Sequence, residues 1–349
     1  MAKQPENIDR GLNQLKSDLK TGAFSKAYAF YGEERYLLDY YLAALKKALV
    51  SGPMEDFNFR RLNSENFSLD ALRDAVSAPA MMAEYVLVQV EDYDLTGQNA
   101  ETSAALAEIF SDLPEGCCVV FVYDTVAYKR TSKHEALAAA IRKNIFEVKF
   151  AKRTGKELSD WIARHFRKLG KTITPDLCQY LVFRTGGMMT VLASEIEKIA
   201  AYSAADAIVR ADIDAVTDPA LSAAVFDVID ALAENNSGVA LTKLRELFQM
   251  DEEPIALLAA LGSHFRKVHT AKVLLGCGKG ADALMELIGT KSEYYAGKLL
   301  SQARRVSEEF CRHAVEACYR ADCGMKRSFD DGEAILETLI LDLAQEVRK

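Results

Sequence analysis

Five short apolar segments punctuate the first 150 residues, and after Phe150 no comparable segment recurs. They are Ala27–Tyr31, Phe57–Leu62, Tyr85–Glu91, Cys117–Tyr123 and Ile145–Phe150. Between them, Tyr36–Val50, Leu69–Ser77, Ser103–Phe110 and Lys133–Lys143 place their apolar residues on one helical face. Consecutive parallel strands need a crossover, usually a helix, so this alternation predicts a five-stranded parallel sheet. Right-handed crossovers put helices on both faces, giving a three-layer α/β domain of nucleotide-binding type over residues 1–150. A lead-in helix over Asn7–Lys20, with Leu12, Leu15 and Leu19 inward, precedes the first strand.

The remainder reads as helical. One helix runs to Leu169, with Leu158, Trp161 and Ile162 on one face and Gly170 at its end. Pro175 sits where a first-turn proline suits the next helix. Leu192, Ile196 and Ile199 mark a third. These define a small three-helix domain over 151–217. Asp218-Pro219 is the next boundary, and residues 218–349 form an all-α domain whose apolar stripes pack as a bundle.

The net charge of −8 argues against gripping nucleic acid by overall charge, while leaving room for a local basic patch. The first residues, MAKQPENIDRGL, lack the apolar stretch of a secretory leader, and no uninterrupted apolar run is long enough to span a bilayer. None of the seven cysteines has C-x-x-C spacing, so they read as reduced and mostly buried. A cytoplasmic protein without membrane contact is expected.

The first strand, turn and helix have the outline of a phosphate-binding unit, in which free helix N–H groups meet an anion. A phosphate loop needs several glycines, a lysine and a hydroxyl. Here Gly32 is followed by Glu33, Glu34 and Arg35, whose two carboxylates would repel a triphosphate. Gly170-Lys171-Thr172 follows a helix and lacks the upstream glycine, and Gly276 to Gly280 reads as a loop. Glu91-Asp92 ends an apolar strand in an order reversed from that of a magnesium-holding strand. His264 and His269, five apart, miss the spacing of a helical zinc site. No catalytic residue, metal site or cofactor is expected.

Ser68 can cap the helix that starts at Leu69, and Pro79 disfavours helical geometry at Ala78. Met81 and Met82 therefore fall in the connection to the third strand. An exposed pair of flexible, polarisable side chains suits insertion into a partner's pocket, and a covered sheet end is the structural alternative.

Several segments, in order, resemble the delta subunit of bacterial DNA polymerase III, a clamp-loader component. FYGEERYLLDYYLAALKKAL resembles that family's first strand and helix, and FSLDALRDAVSAPAMMAEYVLVQVED its clamp-contact helix and following strand. ELSDWIARHFRKLGKTITPD and GGMMTVLASEIEKIAAY resemble its second domain. VFDVIDAL, Glu253 to Leu258, LLSQARRVS and YRADCGMKRS resemble its collar. The resemblance implies an AAA+-like first domain without a working phosphate loop, a lid-like second domain and a C-terminal collar for oligomerisation. It also implies gamma/tau and delta-prime subunits as neighbours and a beta sliding clamp as partner, with primed DNA reached through the assembled complex. ATP would be hydrolysed by the gamma/tau subunits. By alignment to the following strand, the apolar pair that presses into the clamp falls on Met81 and Met82. Lys326, Arg327 and Phe329 are candidates for a local DNA contact in the collar. An active ATPase with a degenerate loop and a passive helical scaffold are the competing readings.

Overall fold

The computed structural model describes residues 10–249, 252–327 and 331–347. The chain divides into two compact units, one ending at Lys152 and the other beginning at Arg153.

The first unit runs α1 (Arg10–Thr21), β1 (Ala27–Tyr31), α2 (Arg35–Val50), α3 (Glu55–Asn58), β2 (Phe59–Leu62) and α4 (Leu69–Ser77), then β3 (Val86–Glu91), α5 (Ala100–Ser111), β4 (Cys117–Val122), α6 (Glu135–Asn144) and β5 (Ile145–Lys149). All strands are parallel, in the order β2-β3-β4-β1-β5. Side chains alternate across the sheet. Ala27, Ala29, Val88, Val119 and Phe121 face one core with Leu72 of α4, Phe110 of α5 and Ile141 of α6. Tyr28, Phe30, Leu87 and Val120 face the other with Leu12 and Leu15 of α1 and Leu38 and Leu45 of α2. Adjacent Cys117 and Cys118 enter opposite cores as small buried side chains. This is the three-layer parallel architecture expected from the alternation.

Buried Asp18 ties α1 to the sheet. It accepts hydrogen bonds from the Tyr28 hydroxyl (3.0 Å) and Gln14 Nε2 (2.8 Å). One boundary differs from expectation. The strand predicted from Phe57 starts at Phe59, and Glu55–Asn58 form a helical turn. Glu55 and Asp56 favour that turn's N-terminus, and the Asn58 side chain is engaged elsewhere, as described below.

The second unit is helical: α7 (Gly155–Lys168), α8 (Pro175–Thr185), α9 (Met189–Tyr202), α10 (Arg210–Val216), α11 (Leu221–Ala233) and α12 (Ser237–Phe248), followed by α13 (Pro254–Gly276), α14 (Ala281–Ile288), α15 (Glu293–Arg305), α16 (Glu308–Arg327) and α17 (Gly332–Val347). Thr174 caps α8 by accepting the Leu177 N–H, Pro175 occupies its first turn, and Gly186 ends it in the left-handed conformation. A single bridge joins Thr172 and Ala207, a small extended contact that helical periodicity does not reveal. Leu257, Leu261 and Phe265 of α13 lie in a core with Leu299 of α15, Phe310 of α16 and Ile340 of α17. Phe183 of α8 meets Phe226 of α11 edge-on, so segments 151–217 and 218–349 touch within this unit.

His264 is buried in that core. Its Nε2–H donates to Gln302 Oε1 (2.8 Å), and Gln302 Nε2 donates to the Phe226 carbonyl (3.2 Å). Burial pushes the imidazole pKa down to about 4, Lys267 adds to the fall, and the Gln302 bond only partly opposes it. The unfolded imidazole takes up a proton near pH 6.5, which the folded one refuses until about pH 4. The resulting stability is present above pH 6.5 and is lost as pH falls towards 4, amounting to ~3 kcal/mol at about 1.4 kcal/mol per pH unit. Denaturation of the second unit, followed by Trp161 fluorescence between pH 7 and pH 4, should show this loss. A His264→Gln variant should be less sensitive to acid by that amount.

Candidate functional site

The connection from α4 to β3 is built by three local rules. Ser68 caps α4 by accepting the Ala71 N–H at 3.0 Å. Ala78, before Pro79, is extended (φ −66°, ψ 131°) and ends the helix. Ala80 then packs against the core on the α4 side of the sheet. Met81 and Met82 follow, with 47% and 86% of their surfaces exposed.

The main chain at this pair is held in place. Asn58, only 1% exposed, donates from Nδ2 to the Met81 carbonyl (2.8 Å) and accepts the Met81 N–H at Oδ1 (2.7 Å). A carboxamide bonded twice to one residue's backbone imitates a peptide rung of a sheet. Met82 adopts φ 53°, left-handed geometry unusual for a side chain of this kind. The two apolar side chains thus stand open on a fixed main chain. Phe57, beside Asn58 in sequence, is also exposed. Nothing in the sequence periodicity marks Asn58, because its partner lies 23 positions away.

The turn after β1 is closed by Phe150, the residue that follows β5. The Phe150 N–H donates to the Tyr31 carbonyl (2.7 Å), and the Glu34 N–H donates to the Phe150 carbonyl (3.0 Å). Gly32 has φ 136°, and a Cβ there would lie 2.2 Å from Phe150 O. The Glu34 amide at the start of α2 is therefore engaged by protein. Glu33 is exposed, but Glu34 is buried at 5% exposure, so the two carboxylates expected to repel a triphosphate do not stand open together. Arg35 pairs with Asp39 (2.9 Å) and Asp124 (3.1 Å).

The acidic strand end is a structural strap. Arg61 grips Glu91 through two hydrogen bonds of 2.7 and 2.9 Å. Asp92, at φ 48°, accepts from the N–H groups of Asp124, Thr125 and Val126 and from the Thr125 hydroxyl. Burial favours the neutral acid, but those hydrogen bonds outweigh it and hold the carboxyl below its usual range. Lys171 of the Gly-Lys-Thr triplet donates to the Ser203 and Ala205 carbonyls at 2.8 Å each, so its ammonium is engaged by the protein's own backbone.

Lys326 and Arg327 end α16. Lys326 Nζ donates to Asp322 Oδ2 one turn back (2.8 Å), which neutralises part of the local charge. Phe329 lies outside the described residues.

Comparison with known proteins bears on the whole chain. Residues 28–149 match the DNA polymerase III, delta subunit family, and residues 222–343 match the DNA polymerase III delta subunit, C-terminal domain family. The DNA polymerase III subunit delta of Bacillus subtilis (strain 168) is 26% identical over 340 residues, covering 95% of this chain and 96% of the relative. A probable DNA polymerase III subunit delta of Aquifex aeolicus (strain VF5) is 24% identical over 336 residues, covering 93% of each. The solved structure of the Bacillus subtilis DNA clamp loader delta protein aligns with a TM-score of 0.56 at 23% identity, covering 96% of this chain and 99% of that one, which shows a shared fold. With both matched segments drawn from one family and together spanning most of the chain, this chain belongs to the DNA polymerase III delta subunit family.

Proposed function

We propose that this chain opens a beta-type sliding clamp within a clamp loader, without hydrolysing ATP itself. The observation that carries the reading is the exposed Met81-Met82 pair on a constrained main chain of the first unit. Pressed into an apolar pocket of the clamp beside its subunit interface, the pair would favour the open ring over the closed one, because only differential contact shifts such an equilibrium. The turn at Gly32 supports a mechanical rather than hydrolytic role, since it packs against the Phe150 main chain, ties up the Glu34 amide and lacks the lysine and hydroxyl of a phosphate loop.

In this reading the first unit is an AAA+-like clamp-contacting domain. Residues 151–217 form a lid-like helical domain, and 218–349 form the collar that joins gamma/tau and delta-prime subunits. Lys326, Arg327 and Phe329 are the candidates for DNA contact within the assembled complex, acting at the replisome in the cytoplasm. Among the described residues no helix is long and apolar enough to cross a membrane.

The test is clamp unloading. A beta-type clamp loaded on nicked circular DNA should leave it faster when this chain is added alone, without nucleotide. Release at the clamp's spontaneous rate would overturn the proposal.

A further inference from the structure

Asn58, only 1% exposed, is hydrogen-bonded to the segment that presents the methionines. It terminates the helical turn α3, immediately before β2. The β2 main chain is fixed by pairing with β3, Phe59 opposite Leu87. The Asn58 backbone is thereby held by the sheet, and its carboxamide reaches the connection that precedes β3. Both polar functions of that carboxamide bind the main chain of one residue, Met81. Met82, next in line, keeps a left-handed φ of 53° that a residue with a Cβ adopts only where its surroundings impose it.

We propose that Asn58 is a positioning residue for the clamp contact, fixing the main chain so that Met81 and Met82 project as one preformed apolar pair. The proposal rests on the clamp-binding reading above. Without the two hydrogen bonds, the connection between Pro79 and Glu84 samples many conformations, and binding must order it at an entropic cost. The methionines would keep their apolar surface but lose their common orientation. Neither methionine side chain takes part in the contact to Asn58, so the effect passes entirely through backbone geometry.

The experiment is a double-mutant cycle read as affinity for a purified beta-type sliding clamp. Asn58→Ala should weaken binding about tenfold in the otherwise unchanged chain, the scale set by two neutral hydrogen bonds. In a Met81→Ser, Met82→Ser background the same change should have no further effect, because nothing remains to be positioned. Equal weakening in both backgrounds would mark Asn58 as a general structural residue and overturn the proposal. Unchanged affinity on Asn58→Ala, with the methionine variant weakened, would overturn it while leaving the clamp reading standing. Unchanged affinity of the methionine variant would overturn both.

A second measurement needs no variant. Hydrogen exchange at the Met81 amide of the parent chain should be slowed at least tenfold relative to its neighbours in the connection, because its N–H is bonded to a buried acceptor. Exchange at the rate of an open loop would overturn the proposal even if Asn58→Ala failed to fold.

Discussion

Replacing Met81 and Met82 together by serine is expected to weaken binding to a sliding clamp about a hundredfold or more. A methionine side chain passing from full exposure to full burial gains ~1.5–3 kcal/mol. Met82, at 86% exposure, has almost all of that to gain, and Met81, at 47%, has about half. Their sum lies near ~2–4 kcal/mol, and about 1.4 kcal/mol corresponds to a tenfold change in affinity. Serine also carries a hydroxyl that an apolar pocket leaves unpaired, which adds to the loss. Fold stability should fall by ~1 kcal/mol, because Met82 is almost wholly exposed while Met81 gives up the half of its surface that the fold already buries. The contact of Asn58 is to the Met81 main chain and survives the exchange. Titrating parent and variant against immobilised clamp, with a denaturation curve for each, separates the two effects. A variant that binds within threefold of the parent would show that the contact lies elsewhere.

Gly32→Ala is expected to produce the largest loss of stability from a single methyl group in the first unit. Two costs add. The φ of 136° belongs to a region that residues with a Cβ rarely enter, and such strain costs ~1–3 kcal/mol. The new carbon would also lie 2.2 Å from Phe150 O and 2.7 Å from the Phe150 carbonyl carbon. Those are backbone atoms, so relief requires β5 to move away from β1 and to weaken the Phe150-to-Tyr31 and Glu34-to-Phe150 hydrogen bonds. A total loss of ~3–5 kcal/mol follows from strain and overpacking together. Amide exchange along β1 and β5 reads it directly. The single tryptophan, Trp161, lies in the second unit and reports on that unit instead. Exchange in β1 unchanged by the substitution would show that the turn adapts.

Much of the sheet was legible because parallel strands buried on both faces leave near-continuous apolar runs. β1 and α4 occupy the residues expected of them, Ala27–Tyr31 and Leu69–Ser77, since each is bounded by strong local signals: Gly32 for the strand, Ser68 and Pro79 for the helix. The start of β2 was misplaced because Phe57 mimics a strand residue, whereas the local acids and the reach of Asn58 towards Met81 favour a turn. The expectation that Glu33 and Glu34 act together against a triphosphate fails at Glu34, which is buried, for a related reason. The Glu34 amide is bonded to the Phe150 carbonyl, more than a hundred positions later, a partner that no local pattern encodes. Asp92 shows in the sequence only as the acidic end of a strand, and its role as a strap depends on amides after β4. In each case side-chain type was readable and the distant partner was not.

The spacing between β1 and α2 has a further consequence. Only Gly32, Glu33 and Glu34 separate the last strand residue from the first helical one. A main chain that short has no slack with which to encircle a polyphosphate, whatever side chains it bears. Exchanging its acids for a lysine and a threonine would leave that path unaltered. This strand-to-helix junction therefore differs from a G-x-x-x-x-G-K-S/T loop in its amount of polypeptide as well as in its side chains.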